Sequence, residues 1–155
     1  MKSSTEEFNF VVREIEQRDL ENGFFQTLSN LSEIGKISDD FERARKILHE
    51  ICSNPVYKIF IAAKNSGEII GSITVLIEQK FIHDGGKVGH IEDVVTKKNY
   101  EGLGVGSALV KAAINFAIEE SCYKVILDCS AEKMRFYRKH GFNEHDISMR
   151  YDIKL

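Results

Sequence analysis

The sequence predicts an α/β (α+β) domain with a mixed central β-sheet and helices on both faces, in the order βααβββαβαβ. Three observations carry this prediction. Apolar residues recur with a period of two in some segments and at helical spacing in others. Three strand-like segments between residues 57 and 98 are joined only by turn residues, Asn65-Ser66-Gly67 and His83-Asp84-Gly85-Gly86, which makes them a consecutive antiparallel meander. Beyond the meander, helical segments separate the remaining strands, so the sheet is mixed.

Each element has its own local reason. Phe8, Phe10 and Val12 share one face of a first strand that ends near Glu14. Asp19 is placed to cap a helix running to about Leu31. After Gly35, Ser38 followed by Asp39 and Asp40 reads as an N-cap with an acidic first turn, and Phe41, Ala44, Leu48 and Ile51 form the buried stripe of a second helix. Asn54-Pro55 ends it. The meander strands are YKIFIAAK, IIGSITVLIEQKFI and KVGHIEDVVTKK. A helix from about Gly106 to Glu120, the β-rich CYKVILDCS, a short helix AEKMRFYRKH stopped by Gly141 and a closing strand ISMRYDIKL complete the order.

With 155 residues, 43% of them hydrophobic and 29% charged, the chain has the composition of one domain spanning 1–155, and its single proline marks no linker. The start, MKSSTEEFNF, lacks the apolar core of a signal peptide, and no run is long enough to span a bilayer, so the expectation is a soluble cytoplasmic protein. A net charge of −3 with scattered lysines argues against a nucleic-acid partner. Cys52, Cys122 and Cys129 are odd in number, lack CxxC spacing and sit in apolar surroundings, the pattern of free structural thiols. His49, His83, His90, His140 and His145 show no metal-ligand spacing, so no metal is expected.

The stretch NYEGLGVGSALVKAA, residues 99–113, places Gly102, Gly104 and Gly106 just ahead of an apolar helix. A helix start offers unpaired N–H groups and the positive end of a dipole, and glycines let the backbone approach a bulky anion. A nucleotide P-loop would need Lys-Ser/Thr after the last glycine, where Ser107-Ala108 stand; a dinucleotide fingerprint would need glycine at 107. On spacing alone, an anion cradle and a plain strand-to-helix turn both fit.

From Gly89 through Phe142 the chain resembles the GNAT superfamily of acetyl-CoA-dependent N-acetyltransferases. The superfamily signature Arg/Gln-x-x-Gly-x-Gly/Ala corresponds to Glu101-Gly102-Leu103-Gly104-Val105-Gly106. Within the superfamily, GHIEDVV, CYKVILDC and FYRKHGF, at these mutual spacings, look like the glucosamine-6-phosphate N-acetyltransferase family, which makes N-acetylglucosamine 6-phosphate for the UDP-GlcNAc pathway. The earlier part of the chain shares only its order of strands and helices.

The resemblance implies acetyl-CoA as co-substrate and glucosamine 6-phosphate as the small-molecule substrate. It implies that the strand carrying Ile91 to Val95 splays from its neighbour, that the pantetheine arm bonds the backbone of Asp93, Val94 and Val95, and that the pyrophosphate rests on the amides of Glu101, Gly102, Leu103, Gly104, Val105 and Gly106. Glu92, Asp93 and Asp128 are implied as the acidic groups that orient the amine and take its proton, Ile91 as a neighbour of the sugar, and Tyr137 as proton donor to the leaving thiolate. One of the adjacent pair Glu92 and Asp93 is expected to act mainly through its backbone, since neighbouring strand residues point to opposite faces. For the sugar phosphate the resemblance implies Ser32, Lys80 and His83. It also implies a homodimer with shared sites, in which Cys122, Tyr123 and a C-terminal arginine reach the neighbour's phosphate.

Three departures stand out. Asp152 occupies the position of that arginine, and Arg150, two residues earlier on the same strand face, takes over. Lys133 replaces an asparagine near the cofactor and can pair with a CoA phosphate. Glu101 replaces Arg/Gln; a unit charge about 7 Å from a phosphate in water-like dielectric costs roughly 0.6 kcal/mol, which backbone donors can offset. Acetyl transfer is expected by direct attack, because Cys129, next to Asp128 on a strand, should face away from the site. A GNAT enzyme for a peptide, lysine or other small amine, and a catalytically silent acetyl-CoA-binding dimer, are the alternatives.

Overall fold

In the computed structural model, which describes residues 8–154, five strands form one sheet in the order β1-β2-β3-β4-β5. They are β1 (Phe10–Glu14), β2 (Tyr57–Lys64), β3 (Ile69–Gln79), β4 (Lys87–Thr96) and β5 (Cys122–Ile126). The first four pair antiparallel, and β4 pairs with β5 in parallel. A parallel neighbour needs a crossover, supplied by α4 (Val105–Glu119). The sheet is mixed, as the element order predicts.

Alternation along the strands builds two cores. Ile59, Ile61 and Ala63 of β2 meet Phe24 and Phe25 of α1 (Phe24–Leu28) and Ala44 and Leu48 of α2 (Phe41–Cys52). The opposite face sends Ala62 of β2 and Ile73, Val75 and Ile77 of β3 against Val105, Leu109, Val110, Ala113 and Phe116 of α4. Phe8, Phe10 and Val12 pack together against this second core, the face the sequence assigns them. A single helical turn, α3 (Ile82–Gly85), follows β3, and α5 (Met134–Arg138) follows β5.

The expected first helix is divided. A 3-10 turn (Gln17–Glu21) is separated from α1 by Gly23, whose φ of 98° only glycine adopts without strain. Asp19 does not cap a long helix. Its carboxylate is 1% exposed, receives two hydrogen bonds from Arg13 at 2.7 and 2.8 Å, and accepts the Glu16 N–H at 2.7 Å. The N-cap of α2 is Asp40, which accepts the Arg43 N–H, two residues later than Ser38.

The closing strand expected over residues 147–154 is absent among the described residues. Met149 is 94% and Tyr151 90% exposed, and Ile147 and Ile153 are exposed with them. The period-two pattern is genuine, but a strand forms only where a second backbone pairs with it. The outer edge of β5, the last strand of the sheet, is bordered by no strand among the described residues.

Candidate active site

Two irregularities of β4 open a cleft. Against β3, Ser72 lies opposite Val95 but Thr74 opposite Glu92, so Asp93 and Val94 together face one residue. This bulge puts Asp93 at φ 49°, in the left-handed region, and bends the strand. Against β5, pairing ends at His90 and Ile126. Residues 91–96 therefore present unpaired backbone toward 127–130, the splay that the family resemblance implies.

The space between measures about 840 Å³. Ile91, Glu92, Asp93, Val94 and Val95 line one wall. Asp128, Cys129, Lys133 and Tyr137 line the other, Glu101, Gly102, Gly104 and Gly106 one end, and Ser32 the rim. Leu103, exposed, and Val105, buried, belong to the same loop without lining the space. Ser107 and Lys139 also line it. Composition hid these two, although Ser107 follows the last glycine and Lys139 lies inside FYRKHGF.

The loop has the form of an anion cradle. Gly102 and Gly104 stand at φ 76° and 86°, and no side chain caps the start of α4, which leaves its first N–H groups free for a ligand. Gly106 is glycine for a different reason: a Cβ there would lie 3.3 Å from the Phe136 ring. Glu101 is exposed with an extended backbone, so its side chain has solvent beside it. His140 and the Ser107 hydroxyl are hydrogen-bonded at 3.1 Å just inside the helix.

Three carboxylates meet at the middle of the cleft. Partial burial, then the negative charges of Asp93 and Asp128, raise the pKa of Glu92, and His90 opposes the rise. The same acidic field reaches Tyr57 of β2, whose phenol is pushed up first by burial and then by Asp93 and Glu92. Asp128 accepts the Ser148 hydroxyl at 3.0 Å. His90, two residues from Glu92 on the same strand face, is bound through Nε2 to Glu78 at 2.7 Å.

Tyr137 closes the far wall. It is 8% exposed, set edge-on to Phe136 and Phe142, and burial followed by the neighbouring Cys129 raises its phenol pKa. Tyr137 lines the cleft, and its hydroxyl is not a fully buried group left without a hydrogen bond. The expectation that Cys129 faces away does not hold. β5 ends at Ile126, strand alternation stops there, and Cys129 lines the cleft beside Asp128. Cys52 and Cys129 are exposed rather than packed in apolar surroundings, and all three thiols are free.

Apart from Ser32, the expected phosphate ligands do not line the cleft. His83 packs its ring 4.1 Å from that of Tyr123, Cys122 opens β5 opposite Lys87, and Lys80 is paired with Glu78 at 2.6 Å. This group lies at the Lys87 end of β4, five residues or about 17 Å from Glu92. Arg150 lies on the exposed tail and pairs with Asp152 at 2.6 Å. Within one chain, Lys80, His83, Cys122, Tyr123 and Arg150 do not line the cleft.

Comparison with known proteins places this geometry. Residues 13–142 match the acetyltransferase (GNAT) family. The glucosamine 6-phosphate N-acetyltransferase of Candida albicans is 35% identical over 141 residues, covering 90% of this chain and 93% of that protein. The enzyme of the same name from Arabidopsis thaliana is 36% identical, covering 90% and 94%. The crystal structure of glucosamine-6-phosphate N-acetyltransferase from Arabidopsis thaliana superimposes with a TM-score of 0.87 at 34% identity, over 94% of this chain and 99% of that one. The chain therefore belongs to the GNAT acetyltransferases and, within them, to the glucosamine 6-phosphate N-acetyltransferase family.

Proposed function

We propose that this protein transfers the acetyl group of acetyl-CoA to the 2-amino group of glucosamine 6-phosphate, giving N-acetylglucosamine 6-phosphate and CoA, by direct attack in a ternary complex. The observation that carries the reading is the cleft itself, with a free strand edge and an uncapped helix start at one end and three carboxylates facing a buried tyrosine at its middle. The donor set fits acetyl-CoA. Unpaired backbone at Asp93, Val94 and Val95 suits an amide-bearing arm, the amides of 101–106 suit a pyrophosphate, and Lys133 suits a further phosphate. When bound, acetyl-CoA supplies the thioester carbon that the amine attacks.

The chain's own residues handle the protons. Glu92, with Asp93 and Asp128, holds the amine and accepts the proton it releases as the C–N bond forms. Tyr137 gives its proton to the sulfur as the C–S bond breaks. One proton leaves nitrogen and one arrives on sulfur, so the step balances without a covalent enzyme intermediate.

The phosphate end is completed by a homodimer. Three features support it: the alternating apolar residues Ile147, Met149, Tyr151 and Ile153 of the tail are exposed, the outer edge of β5 borders a groove of about 820 Å³, and Phe81 is fully exposed at the tip carrying Lys80 and His83. In the dimer the Lys80, His83, Cys122 and Tyr123 group, which does not line the cleft of its own chain, serves the neighbour's cleft together with Arg150. Deleting residues 147–155 should leave far-UV circular dichroism nearly unchanged, shift sedimentation to the monomer and lower turnover by more than about tenfold. A fully active truncated dimer would remove the tail from the assembly.

The substrate is tested by thiol release with three amines. Glucosamine 6-phosphate should give rapid CoA release, glucosamine a much higher KM, and a peptide amine none. Release with the peptide alone would assign a different acceptor, and acetyl-CoA binding without turnover on any amine would make the protein a silent module.

A further inference from the structure

The glycine loop is not braced from within. Nothing lies within 4 Å of where a Cβ would stand at Gly102 or Gly104, and residues 101–104 are exposed. Its shape must therefore be set at its two ends, and both ends rest on one piece of chain, the β2–β3 hairpin.

On the exit side, Val105 is 1% exposed and seated on Gly71, where a Cβ would lie 2.7 Å from the Val105 side chain and 2.8 Å from that of Leu109. On the other side, Lys97 and Tyr100, the last anchors before Glu101, converge on Glu68. Lys97 Nζ donates to Glu68 Oε1 at 2.6 Å, the Tyr100 hydroxyl donates to Oε2 at 3.2 Å, and Lys64 Nζ donates to the Tyr100 oxygen at 3.1 Å. The Lys97 N–H also bonds the Ile70 carbonyl at 2.8 Å. Tyr100 is further fixed by stacking on Phe8.

The charges agree with the contacts. Glu68 is held below the usual carboxylate range, chiefly by the hydrogen bond from Lys97, with Tyr100 and Lys64 adding to it. A single half-buried carboxylate thus ties two cations and a phenol at the entry to the loop. The sequence gives no hint of this, since Glu68 is a turn residue by its neighbours.

We infer that Glu68, through Tyr100 and Lys97, is a positioning residue that preorganises the 101–106 loop for the pyrophosphate of acetyl-CoA. This rests on the reading of that loop as the pyrophosphate cradle. An ordered cradle does not have to be fixed at the moment of binding, so the brace should act on affinity for the cofactor and on little else. It touches neither the thioester nor the sugar.

The test uses the full-length protein and two acetyl donors, acetyl-CoA and S-acetyl-pantetheine, which carries the thioester arm without pyrophosphate. Glu68→Gln should raise the KM for acetyl-CoA roughly threefold to tenfold, with kcat and the KM for glucosamine 6-phosphate within about twofold. The KM for S-acetyl-pantetheine should stay unchanged. Tyr100→Phe, which keeps the stacking on Phe8, should act in the same direction, and the two substitutions together should cost less than the product of their separate effects. If the unsubstituted protein uses both donors equally well, the loop is not a pyrophosphate cradle and the underlying reading fails. If it favours acetyl-CoA strongly but neither variant moves that KM, or both raise every KM alike, or only the melting temperature falls, the brace is overturned while the cradle stands.

Discussion

Glu92→Gln is expected to lower kcat roughly 100-fold while leaving the melting temperature at neutral pH unchanged or higher. In the proposed reaction Glu92 accepts the amine proton, and the substitution removes that acceptor. The stability effect follows from the raised pKa. A carboxyl whose folded-state pKa lies above its unfolded value contributes stability that is full below the unfolded pKa and lost as pH rises through the folded one. At neutral pH the ionised Glu92 is therefore a cost, and glutamine carries no such charge. A variant that lost activity and stability together would mark Glu92 as structural. Asp128 and Asp93 raise the Glu92 pKa, so Asp128→Asn should move the acid limb of kcat/KM to lower pH, whereas His90→Gln, which removes the one opposing group, should move it higher.

Tyr137→Phe should lower kcat roughly tenfold to hundredfold with KM for both substrates nearly unchanged. The ring is packed edge-on between Phe136 and Phe142, and phenylalanine keeps that packing, so the melting temperature should hold. In the proposed reaction what is lost is the proton for the sulfur. The raised phenol pKa keeps Tyr137 protonated across the working range, as a donor must be. From an acetyl thioester of an acidic aryl thiol, the thiolate leaves without needing that proton, so the difference between Tyr137 and phenylalanine should shrink with such a donor. A deficit of equal size with both thioesters would place the role of Tyr137 elsewhere, in shaping the cleft.

The meander and the long helix are legible in the sequence because their causes are local. YKIFIAAK alternates, turn residues bound it, and the structure assigns Tyr57–Lys64 to a strand with the same limits. Asp19 illustrates the opposite case. Its neighbours read as a helix start, yet its carboxylate turns to Arg13 on β1, and a side chain six residues away outweighs a capping preference. The bulge at Asp93 leaves no sequence mark, because a left-handed non-glycine residue is imposed by packing around it.

The site divides in the same way. The glycines, the acidic pair and Tyr137 were recognisable by pattern and by resemblance, and all line one cleft. Lys80, His83 and Tyr123 were equally recognisable as residues, but their distance from that cleft is a property of sheet register, since it follows from Gln79 facing Lys87 while Thr74 faces Glu92. The tail carries the pattern of a strand and lies unpaired. Periodicity within the sequence marks residues suited to a strand, and it does not say which backbone would pair with them. Strand alternation does not extend to Cys129, because β5 ends at Ile126.

In the proposed reaction the acetyl group passes straight from acetyl-CoA to the sugar nitrogen. Acetyl-CoA labelled in its acetyl carbon, mixed with stoichiometric enzyme and glucosamine 6-phosphate and quenched in acid within one turnover, shows where the label goes. The label should be found in an amide at the C2 nitrogen of the sugar phosphate, with none on the protein at any time. Label on Cys129 before it reaches the sugar, or no transfer to the amine at all, would contradict the account.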